Sequence, residues 1–122
     1  MAGSSMKVIG KQDMKVYGFE LVTVRAQFAG DYQFPGMVYG AVKRAGISAG
    51  RITGIDLEAA LRIPGVIDVL RAEDIPGPNL IGVLPPFDQP ILAAGEVRYA
   101  GESIVLVIAE TAGIARQAAS AV

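Results

Sequence analysis

The amino-acid sequence predicts an α+β domain, and three observations carry that expectation. Its periodic segments run strand, strand, helix, strand, long loop, strand, strand, helix, so strand pairs sit between isolated helices and no strict βαβ rhythm appears. The run Ile104 to Ile108 is apolar throughout and β-branched apart from Leu106, the pattern of a central strand covered on both faces. The 15 glycines form neither a dinucleotide-binding nor a P-loop pattern, and no internal repeat is visible.

Each element follows from local signals. Met1-Ala2-Gly3-Ser4-Ser5 is small and polar and lacks the apolar stretch of a signal peptide. Residues 1–14 therefore read as a disordered or tag-like start, and residues 15–122 as the domain. Val16 to Phe28 alternates loosely, which predicts an irregular entry with a short strand or one helical turn. Phe34-Pro35-Gly36 is a turn signal, because proline presets its own φ and glycine is free to adopt positive φ. Met37 to Lys43 reads as a strand with Met37, Tyr39 and Ala41 on one face and Val38, Gly40 and Val42 on the other. Gly40, in mid-strand, marks a bulge or a close backbone approach.

Gly46, Gly50 and Gly54 make a glycine-rich connection into an expected strand at Arg51–Ile55. Asp56 is placed to cap a short helix carrying Leu57, Ala60 and Leu61, and Pro64-Gly65 ends it. Val66 to Arg71 is the next strand. Ala72 to Pro90 holds five prolines, so it is a long loop, with a helical turn expected at Glu73-Asp74-Ile75. Glu96 to Tyr99 and Ser103 to Ala109 are strands joined across Ala100-Gly101. Thr111 caps a final helix with Ile114, Ala118 and Val122 on one stripe.

Composition excludes much chemistry. At 122 residues the chain can form one core, burying about two thirds of its unfolded surface. Its 11 basic and 12 acidic residues give a net charge of −1, which argues against a nucleic-acid footprint and against polybasic membrane attachment. No stretch approaches the length of a membrane span. Cysteine and histidine are both absent, which removes disulfides, cysteine nucleophiles, Ser-His-Asp triads and the usual zinc, haem and iron–sulfur ligands. The absence of cysteine fits a reducing, cytoplasmic location. Hydrophobic residues make up 52% and charged residues only 19%, so apolar surface intended for a partner is expected.

The polar residues that remain have structural explanations. Glu73-Asp74 is the only adjacent carboxylate pair; it lies in a breaker-rich loop and reads as a solvated turn rather than an acid–base pair. Asp56 and Glu58 are accounted for by capping and by complementing the helix dipole. Arg98, Tyr99 and Glu102 form a cross-strand ion pair beside a turn more readily than an anion site. Arg44 and Arg51 bracket the glycine-rich segment and read as surface residues rather than a phosphate grip. Pro85-Pro86-Phe87 has the composition of a short polyproline II element. No catalytic, cofactor-binding or metal-binding residue is assigned.

Five blocks carry a family resemblance. Val97 to Thr111 resembles the stretch VRYVGEPVALVVAET of molybdenum hydroxylase large subunits, the xanthine dehydrogenase and aldehyde oxidase family. Ala29 to Val42 is similar to that family's segment around PGMLYGAV. Arg51 to Leu70 is similar to its ARI strand followed by a PGVVAVL strand. Glu73 to Asn79 resembles its AEDIPGEN loop, and Ile91 to Tyr99 its PLLADGKVRY segment. Two departures stand out: Lys43 to Gly50 replaces a turn that usually contains Ser-Pro-His, and Val22 to Phe28 replaces a VTGKAKY segment.

The resemblance implies an α/β-hammerhead fold, with mixed strands and two helices, at the N-terminus of a molybdopterin-dependent oxidoreductase. It implies an architectural role, packing on the cofactor-bearing domains, with an isolated chain that is itself inactive. Molybdopterin, iron–sulfur clusters and often FAD then belong to other domains or subunits. The alternative is a free-standing binding or assembly module of the same fold. A small enzyme relying on carboxylates alone ranks last. The reading frame beyond Val122 discriminates the first two. The Pro-rich loop, with Leu80, Ile81, Val83, Leu84 and Phe87, is expected to form an apolar patch, with weak self-association as a consequence.

Overall fold

The computed structural model describes residues 15–82 and 85–122, which divide into two compact units at Pro35/Gly36. The expectation for residues 1–14, and those for Val83 and Leu84, fall outside the described residues.

In the first unit, the expected irregular entry contains a helix, α1 (Gly18–Val22), followed by a 3₁₀ turn at Ala29–Asp31. Thr23 ends α1: its hydroxyl donates to the Phe19 carbonyl at 2.7 Å, and Val24 then takes a positive φ of 57°. Arg25 and Ala26 both donate their backbone N–H to the Glu20 carbonyl, closing the turn. Of the two expected alternatives the helical turn is the one formed; its five residues are too few to display a helical period in the sequence.

The second unit contains β1 (Tyr39–Arg44), β2 (Gly50–Arg51), α2 (Glu58–Leu61), β3 (Val66–Leu70), β4 (Glu96–Val97), β5 (Ser103–Ala109) and α3 (Ala112–Ala121). β5 is the centre of an antiparallel three-stranded sheet ordered β1-β5-β3, while β2 and β4 form a separate two-stranded sheet. The expected centrality of Ile104–Ile108 is thus observed. Two strand expectations need correction. Arg51–Ile55 is strand only at its start, and β4 and β5 do not pair across Ala100-Gly101 but belong to different sheets.

Register explains the core. Ala41, Val107 and Val69 form one row across the sheet, and Val42, Leu106 and Leu70 the neighbouring row on the opposite face. Val105, Val107 and Ala109 are fully buried, and Val105 and Val107 pack with Val69 beneath Ala60 of α2 and Ala118 and Ala119 of α3. Ile104, Leu106 and Ile108 are only partly buried. The expectation of equal cover on both faces is therefore corrected: both helices pack on the same side, so one face is sealed and the other is not. The helix stripe shifts for the same reason. Ala115, Ala118 and Ala119 are its buried residues, whereas Ile114 and Val122 are half-buried. Small alanines let α3 approach the sheet closely.

Glycine acts at two places. A Cβ on Gly40 would come within 3.2 Å of Leu106 Cδ1, the close approach expected in mid-strand, while the β1 bulge lies between Lys43 and Arg44. Gly65 has φ +87° and faces Ile114, whose Cδ1 would lie 2.7 Å from an added Cβ. Thr111 caps α3 as expected, its hydroxyl accepting the Ile114 N–H at 3.2 Å. Asp56 makes its capping bond to the Glu58 N–H at 2.9 Å, although Leu57 occupies the geometric N-cap position of α2.

Candidate functional site

The residues with the most specific polar geometry surround the Pro-rich loop. Asn79 anchors the loop's start to its end: Nδ2 donates to the Leu92 carbonyl at 2.6 Å, and Oδ1 accepts the Leu92 N–H at 3.0 Å. Ile81 and Gln89 then pair as an antiparallel bridge, the Ile81 N–H donating to the Gln89 carbonyl at 2.7 Å. Gln89 Nε2 donates to the Tyr99 hydroxyl at 3.2 Å, and Arg98 Nη1 donates to the Asp88 carbonyl at 3.2 Å. Asp88 and Gln89 thus tie the end of the loop to the segment between β4 and β5.

Glu102 underlies this arrangement. Its residue exposure is 1%, and Oε2 accepts the Arg98 backbone N–H at 2.6 Å. The Arg98 guanidinium reaches Oε1 only at 3.4 Å from both Nε and Nη2. The short backbone bond is therefore the stronger partner of the buried carboxylate, because charge-assisted bonds of full strength lie near 2.7–2.9 Å. The expected ion pair exists, but it is not cross-strand, since Arg98 lies beyond β4. Gly101, with φ +90°, donates to the Ala45 carbonyl, and Ala45 donates back to the Glu102 carbonyl. Glycine at 101 permits that reciprocal clamp.

The tethered loop carries apolar side chains outward. Leu80, Ile81, Phe87, Ile91 and Tyr99 are all exposed. An open recess of about 200 Å³ lies among Leu80, Asp88, Pro90, Ala94, Glu96 and Arg98. A second cleft of about 420 Å³ is floored by Ile52, Ile55, Ala72 and Ala93, with Arg71 and Asn79 on its wall.

The other weighed residues make mostly local contacts. Glu73 and Asp74 both pair with Arg71, at 2.6 Å and 3.5 Å, in the 3₁₀ turn Ala72–Asp74 foreseen within the loop. Glu58 pairs with Arg62 one helical turn on, both exposed. Arg44 donates to the Gly101 carbonyl and to the Ser103 hydroxyl. Arg51 is exposed; Pro85 and Pro86 form an exposed bend, not the extended polyproline II element that their composition suggests. No group of three or more carboxylates among the described residues could hold a metal ion. No helix among them is long and apolar enough to cross a membrane. Sequence reasoning missed Asn79; an asparagine among prolines gives no local signal of a partner 13 residues away.

A family model described as the aldehyde oxidase and xanthine dehydrogenase a/b hammerhead domain matches residues 23–122. This chain belongs to that family. The chain is 38% identical over 120 residues to the nicotinate dehydrogenase large molybdopterin subunit of Eubacterium barkeri, covering 98% of this chain and 28% of that one. It is 33% identical over 119 residues to the nicotine 6-hydroxylase large subunit of Paenarthrobacter nicotinovorans, covering 91% of this chain and 14% of that one. Among solved structures, quinoline 2-oxidoreductase from Pseudomonas putida 86 superposes with a TM-score of 0.80 at 30% identity, over 95% of this chain and 16% of that chain. Aldehyde oxidoreductase from Desulfovibrio gigas gives 0.79 at 31% identity, over 85% and 13%. The chain thus spans between 13% and 28% of the length of these relatives.

Proposed function

We propose that this chain is the architectural hammerhead domain of a cytoplasmic molybdopterin-dependent oxidoreductase. It packs on the cofactor-bearing domains of the large subunit and supplies no catalytic residue. The observation that carries this reading is the tethered loop around Leu80, Ile81 and Phe87. Four separate polar contacts hold in place a loop whose apolar side chains point to solvent. Ordering a loop costs about 1–2 kcal/mol per residue. A fixed apolar display is what a preorganised docking surface requires.

Molybdopterin, iron–sulfur and flavin chemistry are assigned to other parts of the enzyme. The donor set here, without cysteine or histidine, offers no ligand for an iron–sulfur cluster. Nicotinate, nicotine, quinoline and aldehydes, the substrates named for its relatives, are then selected elsewhere too.

Elemental analysis tests the reading. A tagged chain isolated under gentle conditions from its own molybdopterin-producing host is expected to bring molybdenum with it in assembly. After salt and detergent strip the partners, the chain itself is expected to be metal-free and redox-inactive. Replacing Leu80 and Phe87 with serine is expected to reduce the molybdenum that co-purifies. Stoichiometric molybdenum retained on the stripped chain would overturn the architectural role. Light scattering of the stripped chain is expected to register weak self-association at high concentration, removed by the same substitutions.

A further inference from the structure

The unit from Lys15 to Pro35 is rich in exposed apolar side chains. Nine large apolar side chains lie between Val16 and Phe34, and every one is exposed. Five of the chain's eight aromatic residues fall in this stretch, yet no residue within it is buried. The segment is nevertheless locally ordered. α1 is closed by Thr23 and by two bonds to the Glu20 carbonyl, Asp31 Oδ2 accepts the Phe28 N–H at 2.9 Å, Tyr32 and Phe34 stack at 6.2 Å, and Arg25 lies 5.9 Å from the Phe19 ring centre. Together these residues shape an open cleft of about 530 Å³, lined by Val16, Tyr17, Leu21, Phe28 and Tyr32 among others.

We infer that Lys15–Pro35 is a docking arm whose occupant is the molybdopterin-binding part of the same enzyme's large subunit; this rests on the function proposed above. Three observations select that occupant. First, aromatic residues with an arginine are the residue types that dominate protein–protein contact energy. Second, the arm carries Lys15, Glu20, Arg25 and Asp31, a net charge of zero, so it lacks the cationic attraction that holds amphipathic segments on anionic membranes. Third, the family model begins at residue 23, so α1 lies outside the hammerhead domain proper. The nicotinate dehydrogenase match nonetheless covers 98% of this chain, arm included, inside a subunit of which it is 28%. The arm therefore accompanies the fold where most of the polypeptide is something else to bind.

Photocrosslinking in the intact assembly tests this. The chain is produced in its own host with Phe28 replaced by p-benzoylphenylalanine, and in parallel with the same replacement at Phe87 in the loop. Adducts are mapped by mass spectrometry. Expected are Phe28 adducts to large-subunit peptides of the molybdopterin-binding part, lost when Phe19 and Tyr32 are changed to serine. Loop adducts without arm adducts would overturn the arm's role while leaving the architectural function standing. Absence of large-subunit adducts from both positions would sink the two together. Phe28 adducts confined to a second copy of the chain, to its own residues 36–122, or to lipid would each overturn the inference.

Discussion

The side-chain amide of Asn79 grips the backbone of Leu92 at both its polar groups, donating to the carbonyl at 2.6 Å and accepting the N–H at 3.0 Å. Leu92 is buried, so water cannot easily replace either bond. The contact closes the Pro-rich loop at its base, as a two-rung strand pairing would.

Asn79→Ala is accordingly expected to lower stability by about 1–3 kcal/mol, the cost of leaving a buried polar group unpaired. Asn79→Asp can still accept but turns a second oxygen toward the Leu92 carbonyl, and so is expected to be no better. Urea unfolding measures the loss. Limited proteolysis of either variant is expected to cut first between Leu80 and Gln89, and an unchanged cleavage pattern would show that the loop is held by other means.

Glu102 and Arg98 form one ion pair with unequal partners. Arg98 has a side chain 43% exposed, so its guanidinium contributes at most about 1 kcal/mol. Arg98→Ala leaves the backbone N–H bond to Glu102 in place, and its effect is expected to be that small. Glu102→Leu removes the acceptor of the part-buried Arg98 N–H and is expected to cost several times more. Glu102→Gln keeps an acceptor oxygen and is expected to fall between them. Thermal melts of the three variants check the order; equal losses for Arg98→Ala and Glu102→Leu would mean the guanidinium contact dominates.

The two faces of β5 are predicted to respond differently. Val107 is fully buried, and replacing it with a polar residue such as aspartate is expected to prevent folding; Val107→Ala is expected to cost about 1.5–3 kcal/mol. Leu106 is half-buried, so Leu106→Ala is expected to sit at or below the low end of the usual 2–5 kcal/mol range (about 2 kcal/mol). A cost for Leu106→Ala above that of Val107→Ala, read from denaturant midpoints, would place the sealed face on the wrong side.

Alanine at two glycines separates steric from conformational cost. At Gly40 the one tight contact of an added Cβ is with the end of the Leu106 side chain, which can shift by a few tenths of an ångström. The change is expected to be nearly neutral. At Gly65 it meets Ile114 at 2.7 Å and must hold φ +87°, so a loss of roughly 1–3 kcal/mol is expected. Co-substituting Ile114→Val is expected to recover only the steric part.

Local pattern determined several things outright: the apolar run of β5, the Thr111 cap, the turn at Pro35-Gly36, the close approach at Gly40 and the absence of cysteine and histidine chemistry. Each depends on residues close in the chain, or on composition, and needs no partner to be legible. The α/β-hammerhead family was equally legible, since ordered blocks of resemblance span nearly the whole chain. Tertiary structure decided the rest. Glu96 to Ser103 reads as a hairpin by local rules, yet Gly50 and Arg51 capture β4, because pairing partners are chosen by the packed whole. β5 looks apolar on both sides, but which side is sealed depended on α2 and α3 landing on the same face. Asn79 and Glu102 carry ordinary surface side-chain types, and only the approach of Leu92 and of the Arg98 backbone gives them structural roles. A polar side chain's function is set by what comes within about 3 Å of it, and that distance is a property of the fold, not of the neighbouring sequence.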